Sequence, residues 1–168
     1  MQTDNRTFEI ITPSQTVVAI QTFFCLFLVI TGVLGNGIIC FLLIRYKALR
    51  TIPNVLLANL ATVDILNILI NTPMVTLNLV FNIKMLRGRS SAWWTTFFWI
   101  LSAHLNLASM LLLVVNKYFA LAHPIKYKHR TTHKKTFCAI SAVWIWCVFV
   151  TGCTNIPILD VEMGAKSV

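Results

Sequence analysis

The 168 residues predict an all-α fold, a bundle of four membrane-spanning helices, and three features of the chain carry that expectation. Hydrophobic residues make up 57% of it and charged residues only 11%, where soluble domains carry about a quarter charged. The apolar residues fall into four runs, each long enough at about 1.5 Å per residue to cross a hydrocarbon core of about 30 Å. Basic residues gather in the short segments between those runs, where lipid headgroups lie.

The first run extends from Val17 to about Ile44 and is almost uncharged. Residues 1–16 ahead of it are mixed and polar and lack the pattern of a secretory leader, so they read as an extracellular tail and the first run as its own insertion signal. Arg45, Lys47 and Arg50 form a basic loop, and Thr51 with Pro53 starts a second helix that reaches about Phe81. Pro73 lies inside that helix, removes one backbone hydrogen bond and presses on the Leu69 carbonyl. A kink is expected there in place of a break, because lipid offers no partners for irregular backbone.

Lys84, Arg87, Gly88 and Arg89 mark the next turn. The third helix is expected over about 93–121, with Trp93, Trp94 and Trp99 suited to a membrane interface. His123 to Lys135 is the most polar segment and reads as a loop at a membrane surface. A fourth helix is expected over about 136–159, with residues 160–168 as a polar stub. The spanning region is thus 17–159.

Charge fixes the expected orientation. The loops after helices 1 and 3 hold about nine Lys and Arg, counting Lys117, against about five elsewhere, which places the amino terminus outside. The sequon Asn5-Arg6-Thr7 agrees, making Asn5 a candidate N-glycosylation site. The net charge of +9 is spread over membrane-flanking clusters and forms no continuous basic face, so no nucleic-acid partner is expected; the partner is the lipid bilayer. Cys25, Cys40, Cys138, Cys147 and Cys153 all sit in or beside apolar runs without paired spacing, so neither disulfide nor metal site is expected. No paired carboxylates, activated nucleophile or H-E-x-x-H spacing supports an enzyme.

Asp64 is the one intramembrane acid. A carboxylate in hydrocarbon must face the bundle with partners or carry a proton, so an ion- or proton-linked role is set against simple packing. Asn67, Asn71 and Asn78 follow on the same stripe of helix 2, and Ser102, Asn106 and Ser109 form a similar stripe on helix 3. With Asn36 on helix 1 these stripes define one shared polar seam; the plainer reading is that Asn and Ser join helices by hydrogen bonds. His104 points about 200° away from Asn106 and belongs to another contact, a packing role standing against a ligand or pH-sensing one.

In this order the motifs resemble those of the rhodopsin-like (class A) G-protein-coupled receptors. Gly32 to Asn36 reads GVLGN, similar to the family's helix 1 asparagine with its preceding glycine, Gly35. Asn54 to Asp64 reads NVLLANLATVD, which places Leu60, Ala61 and Asp64 on the family's L-A-x-x-D. Pro73 falls where many members have a proline. Asn116 to Tyr127 reads NKYFALAHPIKY and looks like D-R-Y followed by P-x-x-Y, so Asn116, Lys117, Tyr118 and Pro124 take the positions facing a G protein. Trp144 matches the helix 4 tryptophan and would pack near Asn59, about 140° around helix 2 from Asp64.

The resemblance covers essentially everything after residue 16 but only helices 1 to 4 of seven, so residues 160–168 correspond to a truncated second extracellular loop. It implies a multi-pass plasma-membrane receptor, with sodium at the cluster of Asn36, Asp64 and Asn106 as the one candidate ion and no other cofactor. Completed by helices 5 to 7, such a chain would have a G protein and an extracellular ligand as partners. Departures accompany the matches: Asn116 and Lys117 replace an acid and an arginine, which removes an internal ion pair and the planar guanidinium, and Ala92 stands near the family's disulfide cysteine. Two other functions remain open. One is a four-helix interaction protein that modulates a full-length receptor as a hetero-oligomer, and the other is a small transporter or channel subunit.

Overall fold

The structure is a computed structural model that describes residues 14–81 and 89–164. The side chains of residues 75, 77–81, 89–92, 130 and 156–164 are not described. Asn5 and the turn residues Lys84, Arg87 and Gly88 therefore lie outside the described residues, as do the side chains of Asn78 and Ala92.

Five α-helices follow in order: α1 (Gln15–Arg45), α2 (Ile52–Phe81), α3 (Arg89–Ala122), the short α4 (Pro124–Arg130) and α5 (His133–Gly164). Among the described residues there is no strand. Four stretches are long and apolar enough to cross a membrane: Gln15–Arg45, Ile52–Met74, Trp93–Ala122 and His133–Asn155. Backbone groups in hydrocarbon have no water to bond, so each stretch closes its own helical ladder. The chain is a bundle of four transmembrane helices.

The ends show how the sequence sets each element. Ser14 Oγ accepts the Val17 N–H and caps α1, two residues ahead of the expected start. At the other end of α1 the Arg50 guanidinium donates to the carbonyls of Leu43 (2.8 Å) and Ile44 (2.7 Å), two of the acceptors a helix terminus leaves bare. That folds the basic loop back on α1 through a 3-10 turn at Lys47–Leu49. α2 continues past Pro73 to Phe81, so the proline does not end it.

The segment His123 to Lys135 is not the loop its polarity suggested. Pro124 opens α4, where its missing N–H costs nothing, and the Tyr127 N–H closes the turn on the His123 carbonyl at 2.8 Å. Thr132 then starts α5 three residues earlier than expected, its side chain and carbonyl accepting from the N–H groups of Lys135 and Thr136. Polar composition at a membrane surface is compatible with short helices, because water supplies the solvent for their outer face. At the far end α5 continues through the residues read as a polar stub, as far as Gly164, since each residue added to a formed helix gains a backbone bond.

Neighbouring spans pack in sequence, α1 on α2, α2 on α3 and α3 on α5, with α5 also reaching α2. The centre of the bundle is small: Val63, Leu105 and Cys147 are buried, with Leu101, Ala108, Val143 and Trp144 around them. α1 lies at the margin and buries no residue. Its close approach to α2 is at Gly32, where a Cβ would stand 2.5 Å from the Ile68 Cδ1, while Gly35 has open space beside it. Large apolar side chains such as Phe23, Leu107, Leu121 and Ile145 point outward, which suits lipid. All five cysteines are unpaired thiols.

Candidate functional site

The polar side chains of α2 and α3 meet at three levels, because residues three and four apart on facing helices recur along the contact. Nearest the Phe81 end of α2, the Asn71 amide donates to Asn67 Oδ1 (2.6 Å) and to Ser102 Oγ (2.7 Å). Ser102 passes its own proton to the Trp99 carbonyl at 2.9 Å. Asn71 is only 5% exposed, so these bonds satisfy an amide that has little access to any other partner.

In the middle level Asn106 Nδ2 donates to Asp64 Oδ1 at 2.5 Å. The half-buried acid is met by an amide of the facing helix. Asn36, grouped with these two in the sequence, turns elsewhere: its Nδ2 donates to the Gly32 carbonyl at 3.0 Å. A short amide on a helix finds the carbonyl four residues back nearest to hand. The structure thus joins Asp64 and Asn106 and leaves Asn36 on its own helix.

The third level ties three helices. Asn59 Nδ2 donates to Ser109 Oγ (2.9 Å) on α3, and Asn59 Oδ1 accepts the indole N–H of Trp144 (3.0 Å) on α5. Ser109 shares the sequence stripe of Asn106 but belongs to this joint, 1% exposed. Leu60 and Ala61, the neighbours of Asn59, are half-buried and buried. A separate contact joins α3 to α5, where His104 Nδ1 lies 3.1 Å from Thr151 Oγ1. Thr151 and Asn155 below it are fully buried, and sequence spacing gave no signal for either.

At the opposite end of α3, Asn116 Oδ1 accepts the Tyr127 hydroxyl of α4 at 3.1 Å, so the amide in place of an acid still anchors the short helix. Lys117 and Tyr118 are exposed, and Tyr118 packs edge-on against Phe119. Pro124 stands at the first position of α4. Beside the upper two levels an open cavity of about 590 Å³ is lined by Asn67, Asn71, Thr72, Ser102 and Asn106 among others. The polar edge of α2 and α3 is therefore uncovered on one side.

Four apolar spans around an inward-facing acid and a ladder of amides define a polytopic helical membrane protein. The sequence profile described as "7 transmembrane receptor (rhodopsin family)" matches residues 35–158, and the chain belongs to that family. Its members are receptors and not enzymes. Among curated relatives, human (Homo sapiens) neuromedin-U receptor 1 is 28% identical over 119 residues, 71% of this chain and 28% of the receptor. The allatostatin-A receptor of Bombyx mori is 27% identical over 135 residues, 79% of this chain and 35% of the receptor. Rhodopsin of Enteroctopus dofleini is 26% identical over 120 residues, 71% and 26% of the two chains. The chain thus spans about a third or less of the length of these relatives.

Proposed function

We propose that this chain forms the first four helices of a plasma-membrane receptor that converts binding of an extracellular ligand into activation of a G protein, with its amino terminus outside the cell. The observation that supports this reading best is the uncovered polar edge of α2 and α3, with Asn67, Asn71, Ser102 and Asn106 around an open cavity. In lipid such a face demands cover, and further helices of the same chain would supply it. A ligand seated there would bias a two-state helix arrangement that is read out at the other end, beside Lys117 and α4.

The test extends the chain through whatever follows Val168 in its transcript and measures G-protein dissociation in cells. Three further apolar spans and signalling above background are expected, with neuromedin U and allatostatin A as the first ligands tried because relatives are named for them. A transcript that ends without further spans, together with a product that never couples, overturns the reading. The same uncovered edge favours a second reading, in which the four helices cover it with a full-length receptor; co-purification with one, and a change in that receptor's surface level, would mark it.

Sodium at Asp64 forms part of the proposal. The Asn106 bond engages Oδ1 of the carboxylate, which leaves Oδ2 as the protein oxygen to hold a cation, with Asn106 as its neighbour. Replacing potassium by sodium is expected to raise the thermal midpoint of the purified chain by a few degrees, since an ion bound only by the folded state stabilises it by mass action. Asp64→Asn should abolish the difference. An equal sodium effect in that variant would remove the ion from the account.

A further inference from the structure

The open cavity of about 590 Å³ beside α2 and α3 is bounded by amides with hydrogen-bonding capacity left over. An asparagine side chain offers two donor hydrogens and an acceptor oxygen, and the network fixes how each one is turned. Ser102 gives its single proton to the Trp99 carbonyl, so it can only accept from Asn71, whose Nδ2 also donates to Asn67 Oδ1. Asn106 turns its Nδ2 to the Asp64 carboxylate. Among the described residues these bonds leave one donor unspent, Asn67 Nδ2, and two acceptors, Asn71 Oδ1 and Asn106 Oδ1. None of the three belongs to the partnerless polar atoms sealed inside the protein, which are Trp93 Nε1, Asn116 Nδ2 and Asn155 Oδ1. A smaller crevice that Asn67 and Asn71 also border presents almost only carbon, so their free atoms open onto the larger cavity.

The lining of that cavity carries no Asp, Glu, Lys, Arg or His, and Asp64 is not part of it. A charge brought there would lose its water without gaining a counter-charge, which is strongly unfavourable. An uncharged group that complements one donor and two acceptors must offer one acceptor and two donors. A primary carboxamide does so, and its shape agrees. The levels of Asn71 with Ser102 and of Asn106 with Asp64 are one helical turn apart, about 5.4 Å. Two acceptors that take both hydrogens of one NH2 group stand roughly 5 Å apart. Around these amides Trp99, Leu107 and Met110 supply apolar surface, each at least half exposed.

We propose that the ligand of this cavity presents an uncharged primary carboxamide on an aromatic or apolar body. The carbonyl accepts from Asn67 Nδ2, and the NH2 group donates to Asn71 Oδ1 and Asn106 Oδ1. This deepens the receptor reading and rests on it for taking the cavity as the ligand seat, whereas the selectivity among headgroups is read without any signalling. Bound there, the carboxamide ties α2 to α3 across two levels and holds the two helices at one relative height.

The test measures benzamide, benzylamine and benzoate against the full chain in phosphatidylcholine nanodiscs by saturation-transfer NMR, with the signal of empty nanodiscs subtracted. The three share a ring and differ in the group it carries. Benzamide is expected to bind at least about tenfold more tightly than either charged analogue. N,N-dimethylbenzamide, which keeps the carbonyl but has no N–H, should lose a similar factor. Asn67→Ala removes the donor and should weaken benzamide about fivefold; if that variant fails to fold, the dimethyl comparison, which needs no variant, decides. Benzylamine or benzoate binding as well as benzamide overturns the proposal. So does equal binding of N,N-dimethylbenzamide, unchanged affinity in folded Asn67→Ala, or no benzamide signal above empty nanodiscs. The receptor reading falls separately: carboxamide selectivity in a chain that never couples to a G protein when extended removes that reading and leaves the seat, whereas coupling without the selectivity removes the seat alone.

Discussion

Asn59→Leu is expected to cost the bundle about 2–3 kcal/mol, read from reversible unfolding of the full chain in mixed micelles. The substitution keeps the volume but removes two interhelical hydrogen bonds, to Ser109 and from Trp144. Such bonds inside membranes contribute about 0.6 to 2 kcal/mol each. Their loss is unequal: the Ser109 hydroxyl can turn to a carbonyl of its own helix, whereas the rigid indole of Trp144 loses the acceptor its N–H has in the structure. Most of the cost therefore belongs to the tryptophan. Trp144→Phe alone should lose about 1 kcal/mol, and once it is present Asn59→Leu should become cheaper by a similar amount, which a double-mutant cycle detects. A cost for Asn59→Leu below about 0.5 kcal/mol would show that the joint does not hold the three helices.

Leu105→Ala should cost about 2–3 kcal/mol, while Leu107→Ala, two residues further along the same helix, should stay within about 0.5 kcal/mol. Leu105 is 4% exposed and packs with Val63 of α2 and Cys147 of α5, whereas Leu107 is 69% exposed. In water both losses would include a transfer term. In lipid the surroundings are as apolar as the core, so the transfer term nearly vanishes and what remains is the cavity and its lost dispersion contacts. That cost falls only on the residue whose neighbours cannot close the gap. Equal effects at the two positions, measured in the same unfolding assay, would contradict the packing described here.

Both predictions concern residues whose importance was unequally legible. Asp64 stood out in the sequence because a charge in hydrocarbon is costly wherever it sits, and the structure gives it an amide partner on α3. Asn59 did not stand out as a hinge between three helices; the family resemblance suggested only that Trp144 lies near it. Asn36 looked like a third member of the Asp64 cluster but bonds to its own helix, since stripe geometry says which way a side chain points and not how far the next helix stands. His104 with Thr151, and Tyr127 with Asn116, pair residues 47 and 11 positions apart, and no local pattern marks them. α4 was missed because its seven residues carry no apolar periodicity, and its start depends on a single proline.

The sequence by itself determined that this protein lives in a membrane, that four segments cross it, that the protein is of the rhodopsin-like family, and that one acid lies among amides within the spans. Those properties are local: hydrocarbon of fixed thickness with no hydrogen-bonding solvent imposes length and composition on each segment separately. The tertiary structure alone decided which amide meets Asp64, which residues join α2, α3 and α5, and that amides of α2 and α3 border one open cavity. Such choices depend on the crossing angle and relative height of helices packed side by side. They are set by the summed contacts of whole faces, which no single stretch of sequence contains.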